Sequence, residues 1–410
     1  MYGLLHGVRV IEGASFIAAP FCALSLAQLG AEVIRFDAIG GGPDFHRWPR
    51  SPGGGSFYWE SLNKSKKSIA INLADPRGRE LAAALVTAPG EGGGIFVTNY
   101  PVAGFLSHDR MAARRPDVIT ARIMGHADGG NAVDYTVNCA MGVPMMTGPA
   151  EKPNDPVNHV LPAWDLLAGS TAATSVLAAL ISRRATGLGQ EIRVPLSDIA
   201  AATLGTLGQV AEVVVNGRDR PKIGNDLFGA FGRDFLTADG QRLMIVAITS
   251  RQWSGLVQAL GIEAGVATLE AELGVSFAQD EGLRYEHRGR LGALVEYAVS
   301  TSPAAHLTAR LDEAGACWGP YRTLSEAVAK EKPFQPEGEL FTDVDHVSGH
   351  TYPTPGYPAT FRGLQRQTPV RAPKLGEHTE EVLAGVLALP SHEIAALHDS
   401  GVVQSPGAHA

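Results

Sequence analysis

"GVRVIEGASFIAAPFCALSLAQLGAEVIRFD", Gly7 to Asp37, holds two apolar runs separated by a segment of different rhythm. "GVRVIEG" (7–13) and "AEVIRFD" (31–37) are short and rich in β-branched residues, as buried parallel strands are. "APFCALSLAQLG" (19–30) reads as a helix, with Pro20 near its first position and Gly30 as its stop. Strand, helix and strand in one stretch make a βαβ unit. The rhythm recurs in "SIAINL" (68–73), "DPRGRELAAALV" (75–86, Asp75 as N-cap), "GIFVTNY" (94–100), "DVITARIMG" (117–125) and "EIRVPL" (191–196). Such alternation predicts an α/β fold with a Rossmann-like, mostly parallel sheet covered by helices.

Working outward, residues 1–205 are expected to form this large α/β domain and 206–221 a linker. From about 222 the spacing becomes hairpin-like, with Asp239-Gly240 as a turn and helical patterns near 251–260 and 290–315. That predicts a smaller α+β domain over 222–330. The proline-rich segment 331–372 reads as an extended linker. Residues 373–410 read as a helical piece returning to the large domain.

The bulk composition sets the function classes. With 410 residues, two domains are expected. A net charge of −8 argues against general binding to nucleic acid or an anionic membrane. Cys22, Cys139 and Cys317 are widely spaced, and the N-terminus enters a strand pattern at once. Reduced thiols in a cytoplasmic protein are expected. The long apolar run after Asp165 is broken by Gly169, Ser170, Thr171, Thr174 and Ser175, which suits a protein core better than a bilayer.

Several chemistries lack their motifs. The first βα turn, "EGASFIAAP", has no GxGxxG, and no glycine run is followed by GK[ST]. Asp37, at the end of the second strand, fits a ribose contact or a helix cap. "HEIAALH" (392–398) spaces its histidines six apart, which on a helix puts them on roughly opposite sides, so no metal is expected. No GxSxG elbow is present.

What remains is basic and carboxylate chemistry at strand ends. "NKSKKS" (63–68) offers three lysines, and "FHRWPR" (45–50) sets Arg47 and Arg50 beside Trp48. These fit either a solvated basic face or a phosphate-bearing nucleotide at the carboxyl ends of the strands. "VNHVLPAWDLLAGSTAATSVLAALISRRATGLGQ" (157–190) predicts a long helix opened at Asp165 and closed at Arg183, Arg184 and Gly187. Asp165 fits two roles: an N-cap, or a carboxylate held ionised by the helix dipole and used as a nucleophile toward a carbonyl.

The opening "L-x-G-V-R-V-I-E…A-P-F…L-A-Q-L-G-A-E-V-I-R-F-D", with "NKSKKSI", "VTNYP", "DLLAGS…RRATGLGQ" and "APKLGEHT", resembles the class III coenzyme A transferases. "GNDLFGAFGRDF" (224–235), "NHVLPAWD" (158–165) and "GGNAVDYTVN" (129–138) look most like the branch that moves CoA between the two carboxyls of mesaconate. The resemblance implies that Asp165 is the nucleophile and forms an aspartyl-CoA thioester. It implies CoA contacts at Ser15, Phe16, Ile17, Lys66, Asn99 and Tyr100. It implies an acyl-CoA substrate, no cofactor beyond its CoA, and an interlocked homodimer. Ala38 stands where relatives often carry a basic contact. Candidates for a second carboxylate are Arg47, His126, Tyr135 and Arg233, each of which also fits a surface or structural role. An intermolecular transferase with another acid as acceptor, and a CoA-binding protein without turnover, remain open alternatives. The racemase branch would need a histidine just before Asp134. Val133 stands there, removing an acid–base step worth ~10²–10⁴ in rate.

Overall fold

The computed structural model describes residues 1–407. The described chain divides into two compact units: residues 1–141, 160–211 and 330–407, and residues 142–159 and 212–329.

In the first unit the strands β1 (Arg9–Gly13), β2 (Glu32–Asp37), β3 (Lys67–Ile71), β4 (Ile95–Thr98), β5 (Ile119–Met124) and β6 (Gln190–Pro195) pair in parallel. The second unit has an antiparallel sheet of β7 (Phe231–Leu236), β8 (Arg242–Ala247) and β9 (Cys317–Pro320). Its core gathers Phe231, Ile245, Trp253, Leu256, Phe277 and Leu291. Back in the first unit, β10 (Phe341–Asp345) and β11 (Thr351–Pro355) form a hairpin, and β12 (Val403–Gln404) adds an antiparallel edge to β3. The large sheet therefore runs β12-β3-β2-β1-β4-β5-β6. Its parallel part has the order of doubly wound dinucleotide folds, which reverses between β1 and β4.

The strands form where expected because each is buried on both faces: Val10, Ile11, Val33, Ile34, Ile69, Ile95 and Phe96 are all 0–1% exposed. The crossover handing β1 to β2 is helix α1 (Ala18–Gln28), whose C-terminus meets Gly30 at φ +107°. A Cβ at Gly30 would lie 2.4 Å from the Tyr2 carbonyl oxygen, so glycine is required twice over. The C-terminal piece grips β3. Gly376 donates to Ser68 Oγ at 3.0 Å, and Thr379 Oγ1 accepts from the Ala70 amide at 3.3 Å.

Three expectations need correction. The segment 331–372 is not a plain extended linker, since Phe341–Pro355 folds into the β10–β11 hairpin, pinned where Ser348 and the Tyr352 hydroxyl donate to buried Glu60. Residues 206–221 contain a helix, Gln209–Asn216. Residues 142–159, placed in the large domain by their position in the chain, belong to the second unit. Gly224 donates to the Gly148 carbonyl and Lys222 to that of Asp155, contacts distant in sequence that no local pattern announces.

Candidate active site

A cavity of about 1070 Å³ opens at the carboxyl ends of β1, β4 and β5. This is the switch point at which open α/β sheets bind ligands, because the loops leaving β1 and β4 diverge there. The turn after β1 supplies Ser15, Phe16 and Ile17, and the turn after β4 supplies Asn99 and Tyr100. Past β5, the glycine-rich loop Gly125–Ala132 forms one wall. Its tightness needs glycine, since a Cβ at Gly125 would sit 2.4 Å from the Ala132 nitrogen.

The two turns are tied to each other. Asn99 Oδ1 accepts from the Ser15 amide at 3.2 Å, and Asn99 Nδ2 donates to the Ser15 carbonyl at 2.9 Å. Thr98 Oγ1 donates to the Gly13 carbonyl at 2.8 Å. Helix α1 starts at Ala18 with no side-chain cap, and Ala18 and Ala19 line the cavity. That end of α1 therefore presents free amides and positive dipole to a ligand.

Asp165 lines the same cavity from the first turn of the helix Ala163–Thr186. It is not the N-cap. Pro162 holds that position, and the capping oxygen comes from Asp134 on another helix, Asp134–Ala140. Asp134 Oδ2 accepts from the amides of Trp164 at 2.7 Å and Asp165 at 3.0 Å. The Asp165 carboxylate engages no hydrogen-bond donor among the described residues. The expectation that the dipole keeps it well ionised is also corrected. Burial, and then the neighbouring Asp134, push its pKa up to about 7, with Arg47 opposing. A carboxylate released from capping, with a raised pKa, is a stronger nucleophile once ionised.

The helix Ala163–Thr186 is long and apolar enough to cross a membrane. One face is nonetheless packed inside the unit, with Ala168, Gly169, Ala172, Val176 and Ala179 at 0–2% exposure or buried. A Cβ at Gly169 would meet the Ala18 carbonyl oxygen at 2.6 Å, so α1 and this helix approach through glycine.

Of the residues singled out from sequence, Ser15, Phe16, Ile17, Arg47, Asn99, Tyr100, Tyr135 and Asp165 line this one cavity. Arg47 lies over the rings of Phe16 and Tyr58, at 5.5 and 5.3 Å to the centroids. The Tyr135 hydroxyl donates to the Val160 carbonyl at 3.3 Å. Burial raises the pKa of Tyr100 to about 12, so its phenol stays protonated.

Lys66 is different. Its ammonium is buried, paired with Glu12 at 2.7 Å and bonded to Asn63 Oδ1 and the Pro20 carbonyl, and it is absent from the cavity wall. It serves a buried network in which Arg35 binds Glu12, Asp37 and Asp44. Asp37 is thereby a buried structural partner of Arg35 and does not line the cavity. No local pattern marks this strand-end lysine as buried, because the acid that neutralises it, Glu12, lies on another strand. His126 is not among the lining residues, although its neighbours Gly125 and Ala127 are. Arg233 lies in the second unit, paired with Asp226 at 3.3 Å.

Sequence reasoning missed Tyr58, Arg122 and Asp134. The Tyr58 hydroxyl is buried without a hydrogen-bond partner among the described residues, on the cavity wall shared with Asp165. Burial raises its pKa. Arg122, fully buried, donates to the Tyr100 and Pro101 carbonyls at 2.6 and 2.9 Å, and so shapes the turn after β4. No local signal marked any of the three, though Asp134 stands in the quoted "NAVDY". Among the described residues no His, Cys, Asp and Glu cluster could hold a metal ion.

Comparison with known proteins bears on this geometry. The profile of CoA-transferase family III matches residues 5–379. The chain is 46% identical to 2-methylfumaryl-CoA isomerase of Chloroflexus aurantiacus, over 99% of both chains. It is 28% identical to succinyl-CoA–D-citramalate CoA-transferase of the same organism, over 97% of this chain and 98% of the other. A crystal structure of a CAIB/BAIF family protein from Brucella suis superposes with a TM-score of 0.74 at 25% identity, covering 93% of this chain and 99% of that one. A near full-length match, on a fold whose cavity sits at the sheet's switch point, makes this chain an enzyme of CoA-transferase family III.

Proposed function

We propose that the enzyme moves CoA between the C1 and C4 carboxyls of mesaconate, isomerising 2-methylfumaryl-CoA through Asp165. The observation that carries this reading is the 46% identity, end to end, with 2-methylfumaryl-CoA isomerase. The site supports it with an unbonded carboxylate in a cavity roomy enough for an acyl-CoA.

In this scheme ionised Asp165 attacks the thioester carbonyl, breaking the C–S bond to give an aspartyl–mesaconyl anhydride and CoA thiolate. The thiolate then attacks the Asp165 carbonyl, giving aspartyl-CoA thioester and free mesaconate carboxylate. The acid turns, and its other carboxylate attacks the aspartyl thioester to form a second anhydride and thiolate. Thiolate attack on the mesaconyl carbonyl of that anhydride releases product and restores Asp165. Arg47, Tyr58 and Tyr135 are among the polar side chains that line the cavity with Asp165 and suit the second carboxylate. Ser15, Phe16, Ile17, Asn99 and Tyr100 form the CoA wall. Lys66 contributes through the buried network that binds the Pro20 carbonyl of α1, and Arg233 is a further candidate for the second carboxylate.

A homodimer of interlocked chains fits the exposed apolar side chains Ile181, Leu188 and Leu207, at 64–69% exposure, which a single chain leaves uncovered. We place the enzyme in the cytoplasm, in keeping with its three free cysteines. The test is incubation with mesaconyl-C1-CoA and labelled free mesaconate. The C4 ester should accumulate without label, because a closed pocket retains the acid. Label entering at a rate near turnover rejects the intramolecular scheme. Asp165→Asn should fold and bind CoA but not turn over, and turnover by that variant with deamidation excluded rejects the nucleophile.

A further inference from the structure

Among the described residues four non-glycine positions have positive φ, and Phe16, at +71°, is the one that lines the cavity. A side chain with a Cβ occupies the left-handed region reluctantly, and such outliers persist where surrounding structure imposes them. The group that meets the Phe16 amide is Asp44. Its Oδ2 accepts from the Phe16 amide at 3.1 Å. The carboxylate is 1% exposed and lies against Arg35, whose Nη2 is 3.0 Å from Oδ1 and 3.2 Å from Oδ2. Arg35 is fixed in turn by Asp37 at 2.8 Å and Glu12 at 3.2 Å. Asn99 holds the preceding residue, Ser15, from the other side. The turn is thus held at two successive amides, the second belonging to the residue in the left-handed conformation. In that conformation the Phe16 ring is 41% exposed, with the Arg47 guanidinium 5.5 Å from its centroid.

We propose that Asp44, which does not touch the cavity, is a positioning residue for acyl-CoA: its carboxylate, anchored by Arg35, holds Phe16 left-handed so that ring and turn are set before the ligand arrives. The proposal rests on the reading of the cavity as a CoA site. Without Asp44 the turn relaxes into a conformation that must be reversed on binding, and that cost falls on ground-state affinity.

The experiment is a double-mutant cycle of Asp44→Ala and Phe16→Gly, read by CoA binding, by KM and kcat, and by hydrogen exchange at residue 16. Asp44→Ala should raise Kd and KM for the CoA ester by about 5- to 30-fold, the population penalty of the left-handed region, with kcat changed less than about 2-fold. Exchange of the Phe16 amide should accelerate. Asp44→Asn keeps an oxygen acceptor and should stay within about 3-fold of wild type. Glycine adopts positive φ freely. On the Phe16→Gly background, therefore, Asp44→Ala should cost less than about 2-fold, a non-additive result. Additive effects, or equal losses of kcat and melting temperature with unchanged Kd, overturn the proposal and leave Asp44 a partner of Arg35 alone. Failure of the wild-type enzyme to bind CoA overturns the CoA-site reading itself, and this proposal with it. Binding by wild type with additive variants overturns only the role of Asp44.

Discussion

Replacing Asp134 by asparagine tests how the fold sets the reactivity of Asp165. Asp134 does two things at once: it caps the helix Ala163–Thr186 through Oδ2 and places a negative charge beside Asp165. Asparagine keeps an oxygen for the two amides and removes the charge. An N-cap contributes ~0.5–2 kcal/mol when lost to alanine, and an Asp-to-Asn change retains most of that. Stability should therefore fall by less than about 1 kcal/mol. The electrostatic effect is larger in consequence. Asp165 titrates near 7 because of burial first and Asp134 second. Removing the second cause while leaving the first should shift the acid limb of kcat/KM down by about one pH unit, since a like charge at this range favours the protonated form. The nucleophile becomes more fully ionised at pH 6 but less basic, so activity at pH 8 should decline modestly while relative activity at pH 6 rises. The assay is a pH profile of kcat/KM from pH 5 to 9 for both enzymes, alongside thermal unfolding. An acid limb that stays put, or moves up, refutes the claim that Asp134 helps set the pKa of Asp165. A large stability loss with an unmoved limb would make Asp134 a cap only.

Other expectations follow from burial. Lys66→Met removes one of the two buried cations that neutralise Glu12 and leaves Arg35 as its remaining partner, so unfolding by denaturant should show a loss of about 3 kcal/mol, the low end for breaking a buried pair. CoA affinity should keep the salt dependence of the wild-type enzyme, because the Lys66 ammonium is already held by Glu12, Asn63 and the Pro20 carbonyl. A reduced salt slope in Lys66→Met would contradict that placement. Tyr58→Phe removes a buried hydroxyl that has no partner, so melting temperature should hold or rise slightly while KM for the dicarboxylyl-CoA rises about 10-fold. An unchanged KM would remove Tyr58 from the substrate site. Asp165→Asn should also change the pH dependence of stability. A carboxyl whose folded pKa is raised binds more protons in the folded state, so its unfavourable ionisation sets in as pH climbs from about 4 to 7. The variant should gain on the order of 1 kcal/mol over wild type at pH 8 and little at pH 4, read by denaturant titration at the two pH values.

The strand–helix rhythm from Gly7 to Asp37 was enough to place a parallel α/β sheet, because residues buried on both faces leave an unbroken apolar record in the chain. The turns after β1 and β4, and Asp165 in the first turn of a long helix, were legible for the same local reason. Ends of elements are marked by Pro, Gly and short polar residues, and in this fold class ligands meet those ends. What the chain's order could not convey is which charges find each other. Lys66 reads as one of three exposed lysines until Glu12, Pro20 and Asn63 close around it. Asp165 reads as a cap until Asp134, thirty-one positions earlier, takes both amides. Phe16 carries no sign of a left-handed backbone until Asp44 reaches its amide from across the loop. Hydrophobic burial is written locally, since each side chain carries its own transfer energy. The state of a buried charge depends on partners brought together across the sequence, and only the tertiary structure names them.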